Sequence, residues 1–382
     1  MMNTRPPNRR HATRFAVVGL ATVALATLGN IGTARADVVP GGSTTGVLSG
    51  AAQEFLAQRA AALLDTPATA SPKVLGHEVA LSPGLAGAES AATSELHARR
   101  DRLRAVGEAY TSATTELSDA KTAQRGDTTV LSVTETTTLE YKKIRGDEPA
   151  NTAYSAPREF TFERTATGWT LTGQRLVEPD AVPPVTEPAG QPKVDLSITD
   201  PTAAAPGSPA TTGPVTKDPA PAGEIRPFYN YSAMAAYAER YWRNYNSAYR
   251  TFNDRGGDCT NFISQALRAG GWADAPGFYR DYHYWWYNRF NQTYSWVNVN
   301  SWASFALSSG RTHNLRYLTE LGLGDILQVD FDRASGKDHS MIVSYVSGGT
   351  AYLTYHTTNT YRRSVWSIYN SNPNALYYAF RT

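Results

Sequence analysis

Residues 178–224 are the stretch that most limits how this chain can fold, because they hold half of its 22 prolines. Alanine, threonine and glycine fill most of the gaps between these prolines. A proline fixes φ and has no N–H to donate, so this composition favours an extended chain over a packed core. We therefore predict a linker at 179–224 that separates a small α+β domain at 45–178 from a second domain at 225–382.

The first 36 residues have the features of an export signal. They contain five arginines and no acidic residue, and the apolar run at 15–28 is too short to cross a bilayer. Residues 34–36 form a small–x–small cleavage pattern. We predict a signal peptide at 1–36 and a mature protein that is secreted or associated with the cell wall, without stable membrane insertion. An uncleaved membrane anchor is the alternative, and the sequence is compatible with either the general or the twin-arginine export route.

Two helices followed by three strands are predicted for the first domain. Apolar residues recur at helical spacing over 50–65, and a second helical stretch covers 90–107 and is open to extension as far as Lys121. Three later runs alternate apolar with polar residues, which is typical of half-buried strands: 131–141, 160–162 and 169–171. This order of elements predicts an α+β fold. The sequence of the first domain contains no cluster of catalytic residue types.

The second domain holds nearly all of the eight tryptophans and most of the 22 tyrosines. Apolar spacing predicts a helix at 232–250 and another helix that starts at Cys259. Alternating patterns then predict strands at 326–331, 341–346, 351–356, 364–369 and 375–380. Helices first and an antiparallel sheet afterwards again predict an α+β domain.

Cys259 is the one cysteine of the chain, so it cannot form an internal disulfide. It follows Gly256, Gly257 and Asp258 at the start of the predicted helix. Unpaired N–H groups and the helix dipole at such a position favour a negative charge, which predicts a stabilised thiolate. We interpret Cys259 as a catalytic nucleophile. A buried cysteine without a chemical role is the alternative.

Two histidines are the candidate partners of this cysteine. His339 begins one predicted strand and His356 ends the next, and these two ends of an antiparallel hairpin lie at the same edge. If that edge faces the cysteine helix, His339 acts as the base of Cys259 and His356 orients its ring. Asn359 is a second candidate for the orienting role. A zinc site of Cys259, His339 and His356 is an alternative, although the usual ligand spacings are absent.

These residues carry a family resemblance. The segment GGDCTNFISQALRAGGW at 256–272, the segment His339-Ser340-Met341-Ile342-Val343 and Tyr355-His356-Thr357 resemble the Putative amidase domain family of bacterial exported proteins. The resemblance covers about 228–382 and implies a papain-like fold, with the cysteine helix packed on an antiparallel sheet. It implies Cys259 as nucleophile, His339 as base and either His356 or Asn359 as the third residue. It also implies an oxyanion hole from the Cys259 N–H and one upstream side chain, with Asn253 and Tyr249 as candidates.

The predicted function is hydrolysis of an amide bond through an acyl-thioester on Cys259. Peptidoglycan peptides are the expected substrate, from the predicted export and the resemblance. An acyl transferase with the same site and a catalytically silent cell-wall binding protein are the alternatives. With a net charge of +2 and no run of basic residues, the chain is not expected to bind nucleic acid. We expect a monomer without cofactor or metal.

Overall fold

The computed structural model describes residues 43–66, 74–75, 79–142, 146–177, 182–188, 211, 229–333 and 336–382. All of them belong to one compact unit, Gly42–Thr382. The predicted signal peptide and its cleavage site lie outside the described residues, as does most of the predicted linker. Within the described ranges, no helix has both the length and the apolar character needed to cross a membrane.

Two helices pack on long strands in the N-terminal part. Helix α1 spans Thr44–Ala61, and α2 spans Pro83–Ala105 after Ser82, whose hydroxyl caps the helix by accepting a hydrogen bond from Leu85 N. Apolar side chains of α1 pack against alternate residues of the strands that follow. The strands of this part are β1 (Val74–Leu75), β2 (Val79–Leu81), β3 (Tyr110–Arg125), β4 (Thr128–Tyr141), β5 (Asn151–Thr165) and β6 (Gly168–Leu176).

The chain after α2 differs from the sequence prediction. Extension of the second helix to Lys121 is wrong, because α2 ends at Ala105 and strand β3 begins at Tyr110. Gly107 has φ 82, a left-handed conformation that commonly ends helices. The threonines that follow favour a strand, and β3 pairs with β4 from Tyr110 to Arg125.

The C-terminal part begins with helices and ends with an antiparallel sheet, as the sequence predicts. Its strands lie in the order β11 (Asn359–Ser364), β10 (Thr350–Tyr355), β9 (His339–Ser347), β8 (Ile326–Asp330), β12 (Leu376–Arg381) and β7 (His313–Asn314), and each neighbouring pair is antiparallel. The mixed α+β class is therefore confirmed, whereas the papain-like architecture stays a prediction. The elements are α3 (Tyr231–Tyr241), α4 (Cys259–Ala269), α5 (Tyr294–Val297), α6 (Val299–Ser308), β7 (His313–Asn314), β8 (Ile326–Asp330), β9 (His339–Ser347), β10 (Thr350–Tyr355), β11 (Asn359–Ser364), α7 (Val365–Ser371) and β12 (Leu376–Arg381).

The predicted strand at 364–369 is wrong. Residues Val365–Ser371 form helix α7, and Ser364 caps it by accepting a hydrogen bond from Ser367 N at 2.9 Å. A serine at the N-cap stabilises a helix start, so the local hydrogen bond outweighs the strand preference of the valine, tryptophan and tyrosine that follow.

The central strands separate two hydrophobic cores, and this division decides which side chains can meet. Ile342 of β9 packs with residues of α4, and its neighbour Met341 packs with residues of α7. Successive side chains of a strand point to opposite faces. Ser340 therefore lies on the side of the sheet covered by α4, which we call the α4 face, and His339 lies on the opposite side, the α7 face.

The N-terminal and C-terminal parts contribute strands to one sheet. Strand β5 pairs with β11 through Ser155 and Asn359, and two further residue pairs follow along the strands. Tyr141 adds a side-chain contact, since its hydroxyl donates to the carbonyl of Arg362 at 3.0 Å. The division of the chain into two domains stays a prediction, but hydrogen bonds join the two regions directly.

Residues 182–188 lie inside the predicted linker and are nevertheless packed. Val182 is fully buried, and the carboxylate of Glu187 lies 2.7 Å from Arg59 and 2.5 Å from Arg158. Arg158 is also buried and pairs with Glu135. Burial favours the neutral acid, but the two guanidinium groups outweigh it and lower the pKa of Glu187. The ion pairs of Glu187 therefore fix residues 182–188 against the rest of the protein, although the composition of this segment predicts an extended chain.

Replacing Glu187 with alanine should destabilise the protein by about 3 kcal/mol, because it leaves Arg59 and Arg158 buried with one carboxylate fewer. Urea unfolding of the full chain measures this change in the free energy of unfolding. The contribution is present above the ordinary pKa of glutamate and is lost as the pH falls through the lowered pKa of Glu187.

The matched control is Glu159→Ala, which removes a carboxylate from an exposed pair with Arg175. Its expected cost is at most about 1 kcal/mol. Equal effects of the two substitutions would contradict the packed position of Glu187.

Candidate active site

Cys259 is the first residue of α4 and is 4% exposed. Its Sγ lies 3.8 Å from the hydroxyl of Thr260, which in turn lies 3.0 Å from the hydroxyl of Ser340 on β9. Burial raises the pKa of the Cys259 thiol, although hydrogen bonds from the backbone of Ser340 and from Thr260 oppose this change. The direction is opposite to that predicted from the helix start, because burial disfavours the charged thiolate.

Two glycines allow the turn before Cys259 to approach the end of β10. Gly256 and Gly257 have φ values of 91 and 103, which L side chains rarely adopt. A Cβ on Gly257 would lie 3.0 Å from Oγ1 of Thr357. That same Oγ1 accepts a hydrogen bond from Asp258 N at 2.9 Å. The turn and the residue after His356 are therefore in direct contact.

Asp258 joins the start of α4 to His356. Its Oδ2 lies 2.8 Å from Nδ1 of His356, and its Oδ1 accepts hydrogen bonds from Phe252 N and from Asn261 Nδ2, each at 2.9 Å. The carboxylate is fully buried. With three partners and no exposure, it holds the imidazole in a fixed position relative to Cys259.

The ring of His356 is enclosed on both faces and at both nitrogens. It stacks between Phe262 and Tyr245, with ring centres 3.9 and 4.0 Å away. Its Nε2 lies 2.8 Å from the carbonyl oxygen of Tyr241, the last residue of α3. Since Asp258 and Tyr241 both offer acceptors, only the doubly protonated ring can donate to both. Two aromatic faces and a helix C-terminus also favour a cation at this position.

His339 occupies the other side of the sheet. It is 1% exposed, and its ring contacts Tyr355 edge to face with centres 5.2 Å apart. Its Nε2 is buried without a hydrogen-bond partner, and burial lowers the pKa of His339 to about 3. At neutral pH this histidine is uncharged. Such a low pKa makes it a weak acceptor for a thiol proton.

The two predicted histidines are therefore not joined to each other. The hydrogen bonds of the described residues connect His356 to Asp258, and none of them connects Cys259 to His339 or to His356. The relay from Cys259 through His339 to His356 stays a prediction. For the zinc alternative, the one cluster of potential metal ligands found in the described ranges consists of aspartates and contains none of these three residues.

Asn359 lies at the start of β11 and contacts neither histidine through a hydrogen bond in the described structure. Its Oδ1 accepts a hydrogen bond from the hydroxyl of Tyr245 at 3.0 Å, so it positions the ring that stacks on His356. Asn253, one candidate for the oxyanion hole, donates to the same hydroxyl at 3.1 Å. Tyr249, the other candidate, stacks on Trp296.

Residues 228–380 match the family described as Putative amidase domain. This confirms the predicted resemblance of the C-terminal part and indicates an amidase-type hydrolase there. Two relatives from Bacillus subtilis (strain 168) are similar to part of the chain. The uncharacterized protein YhbB is 32% identical over 148 residues, which are 37% of this chain and 46% of the relative. The uncharacterized protein YjcM is 33% identical over 149 residues, which are 36% of this chain and 33% of the relative.

The matched region thus spans less than half the length of either relative. No solved structure matches the chain significantly. The residues that match the family, 228–380, include Cys259, His339, His356 and Asn359.

Sequence reasoning missed four residues around the amidase-domain cysteine: Asp258, Tyr245, Phe262 and Thr357. Asp258 was recognisable, because an acid directly before a helix-start cysteine is a candidate partner for a histidine. Thr357 and Thr358 have φ values of 62 and 57, which are unusual for β-branched residues. Strained backbone of this kind often accompanies functional sites, but no sequence pattern predicts it.

Gly257→Ala should destabilise the protein by about 2 kcal/mol, because the new Cβ meets Thr357 and the positive φ is unfavourable for alanine. Urea unfolding is the measurement. Gly84→Ala in the first turn of α2 is the control, since a Cβ there meets nothing within 4 Å. It should stabilise by about 0.5 kcal/mol. A neutral Gly257→Ala would show that the turn does not pack closely on Thr357.

Proposed function

We propose that the C-terminal part of the chain hydrolyses amide bonds through a thioester on Cys259. The observation that carries this proposal is the position of the single cysteine, which starts α4 directly after the aspartate that holds His356. The match of residues 228–380 to an amidase domain supports the reaction class. Backbone N–H groups at the start of α4 are suitable donors for the oxyanion that forms when sulfur attacks a carbonyl carbon.

The proposed reaction needs a proton donor for the leaving amine, and His356 fits this role better than His339. His356 lies on the α4 face, stacks on Phe262 of α4 and is favoured as a cation by its hydrogen-bond acceptors. His339 lies on the α7 face, and its low pKa keeps the ring neutral, so it cannot act as an imidazolium acid at neutral pH. This assignment differs from the sequence prediction, in which His339 is the base and His356 or Asn359 orients it.

In the first half of the reaction, the Cys259 thiolate attacks the carbonyl carbon of the amide. The C–N bond then breaks, and the ring of His356 must release its resting acceptor, the Tyr241 carbonyl, so that Nε2 can give its proton to the amine nitrogen. In the second half, water attacks the thioester and gives a proton to Nε2. The acid leaves and the thiolate is restored.

The substrate we propose is an amide bond in peptidoglycan peptides, and this rests on the predicted export of the chain. We also keep the expectation of a monomer that acts outside the membrane and binds no nucleic acid. An acyl transferase on the same thioester is an alternative in which an amine replaces water. The buried thiol and its raised pKa specifically favour the other alternative, a catalytically silent cell-wall binding protein.

Cys259→Ala should lower amide release at least about 10³-fold, because the nucleophile of the acyl step is lost. The measurement is product mass after incubation of purified peptidoglycan fragments with the full chain. Arg268→Ala is the control, since Arg268 lies in the last turn of the same helix and pairs with Asp274. It should keep the rate within about twofold. Binding of the fragments without any Cys259-dependent product would favour the silent protein, and a product that requires added amine would favour the transferase.

His356→Ala should lower kcat/KM about 10²- to 10⁴-fold, and His339→Ala should lower it much less once rates are corrected for the folded fraction. Because burial raises the pKa of Cys259, the wild-type rate should rise with pH above neutrality as the thiolate fraction grows. A pH–rate profile of the wild type and both variants measures these effects. A larger loss in His339→Ala would restore the role that the sequence assigns to His339.

A further inference from the structure

Three aspartates meet at the connection between β8 and β9. Asp330 ends β8, Asp332 follows it, and Asp338 directly precedes His339 at the start of β9. One carboxylate oxygen from each residue lies within 4.8 Å of the corresponding oxygens of the other two. Asp330 and Asp338 are buried and Asp332 is exposed, so this aspartate cluster has one open side.

Asp338 has a buried oxygen that lacks a partner. The residue is 9% exposed, its Oδ2 accepts a hydrogen bond from Phe331 N at 2.6 Å, and its Oδ1 accepts none. A buried carboxylate oxygen without a donor is unfavourable, and a bound cation is one of the usual reasons for it. Burial raises the pKa of Asp338 to about 7. The negative charges of Asp330 and Asp332 contribute to this rise, whereas backbone hydrogen bonds from Phe331 and Asp332 oppose it.

The two basic residues nearest in sequence, Arg333 and Lys337, do not donate a hydrogen bond from their side chains to Oδ1 of Asp338. The ammonium of Lys337 lies 4.3 Å from the ring centre of Tyr378, and the guanidinium of Arg333 donates to the carbonyl of Asn374 at 2.5 Å. Arg333 contributes its backbone N–H to Asp330 Oδ1 at 2.7 Å. Lys337 partly offsets the charge of Asp330, but in the described structure neither side chain hydrogen-bonds Asp338.

We propose that Asp330, Asp332 and Asp338 bind a Ca²⁺ ion that ties the end of β8 to the start of β9. The donors are all carboxylate oxygens, which hard cations prefer, whereas zinc favours histidine and cysteine. Ca²⁺ accepts irregular geometry and completes its coordination with water, which the exposed side at Asp332 can supply. The ion gives Oδ1 of Asp338 a partner beside two other carboxylates.

The test is Ca²⁺ binding to the chelator-treated full chain. Calorimetric titration should give a dissociation constant of about 10⁻⁴ to 10⁻³ M, as in extracellular calcium modules. In thermal unfolding, 10 mM Ca²⁺ should raise Tm by about 2–4 °C, more than the same concentration of Mg²⁺. No heat of binding and no change in Tm for the wild type would overturn the proposal.

Asp332→Asn is the decisive variant, because its side chain is exposed and the substitution should leave the fold intact. It should weaken Ca²⁺ binding at least about tenfold, and Asp338→Asn should do the same. Asp127→Asn, at an exposed position in the β3–β4 turn, is the matched control and should bind as the wild type does. Terbium luminescence provides a second readout if Asp338→Asn unfolds easily. Unchanged Ca²⁺ affinity in Asp332→Asn would overturn the site.

Discussion

The hydrogen bond between Asp258 and His356 is the contact on which the rest of the candidate site depends. It links the N-terminus of α4 to the end of β10, and His356 in turn reaches the C-terminus of α3. A carboxyl group therefore lies at the start of α4 and an imidazole at the end of α3. The start of a helix favours an anion, and its end favours a cation. This contact requires the turn at Gly256 and Gly257 to lie close to Thr357. The turn meets this requirement, because Asp258 N donates a hydrogen bond to Thr357 Oγ1.

Burial shifts the pKa values of Cys259 and His339 in opposite directions, but it favours the uncharged form of both. Desolvation raises the pKa of the Cys259 thiol and lowers that of His339, so both are uncharged at neutral pH. His356 is equally buried but has acceptors at both nitrogens. Equal burial therefore leaves the three groups in different surroundings, because only His356 has hydrogen-bond acceptors at both of its nitrogens.

Local sequence patterns predict much of the candidate site, but they do not predict on which face of the sheet each side chain lies. The helix that begins at Cys259 and the hairpin between His339 and His356 follow from apolar spacing and turn residues. The sequence does not reveal which side of β9 meets α4, because the first six residues of this strand are buried and apolar residues point to both of its faces. For that reason the relay through His339 stays a prediction of the sequence, whereas the hydrogen bond between His356 and Asp258 is visible only in the fold. Helix α7 is missed for a different reason. Its residues favour a strand, but the capping hydrogen bond to Ser364 starts a helix there.

The pairing of β5 with β11 has a consequence for any shorter form of this protein. A polypeptide restricted to 225–382 would lose the strand that covers β11 and would present a row of unpaired N–H and C=O groups. Such an edge invites pairing with a second molecule, so the amidase part alone should tend to associate or aggregate. The N-terminal part therefore acts as an intramolecular cover that keeps the sheet next to Asn359 closed.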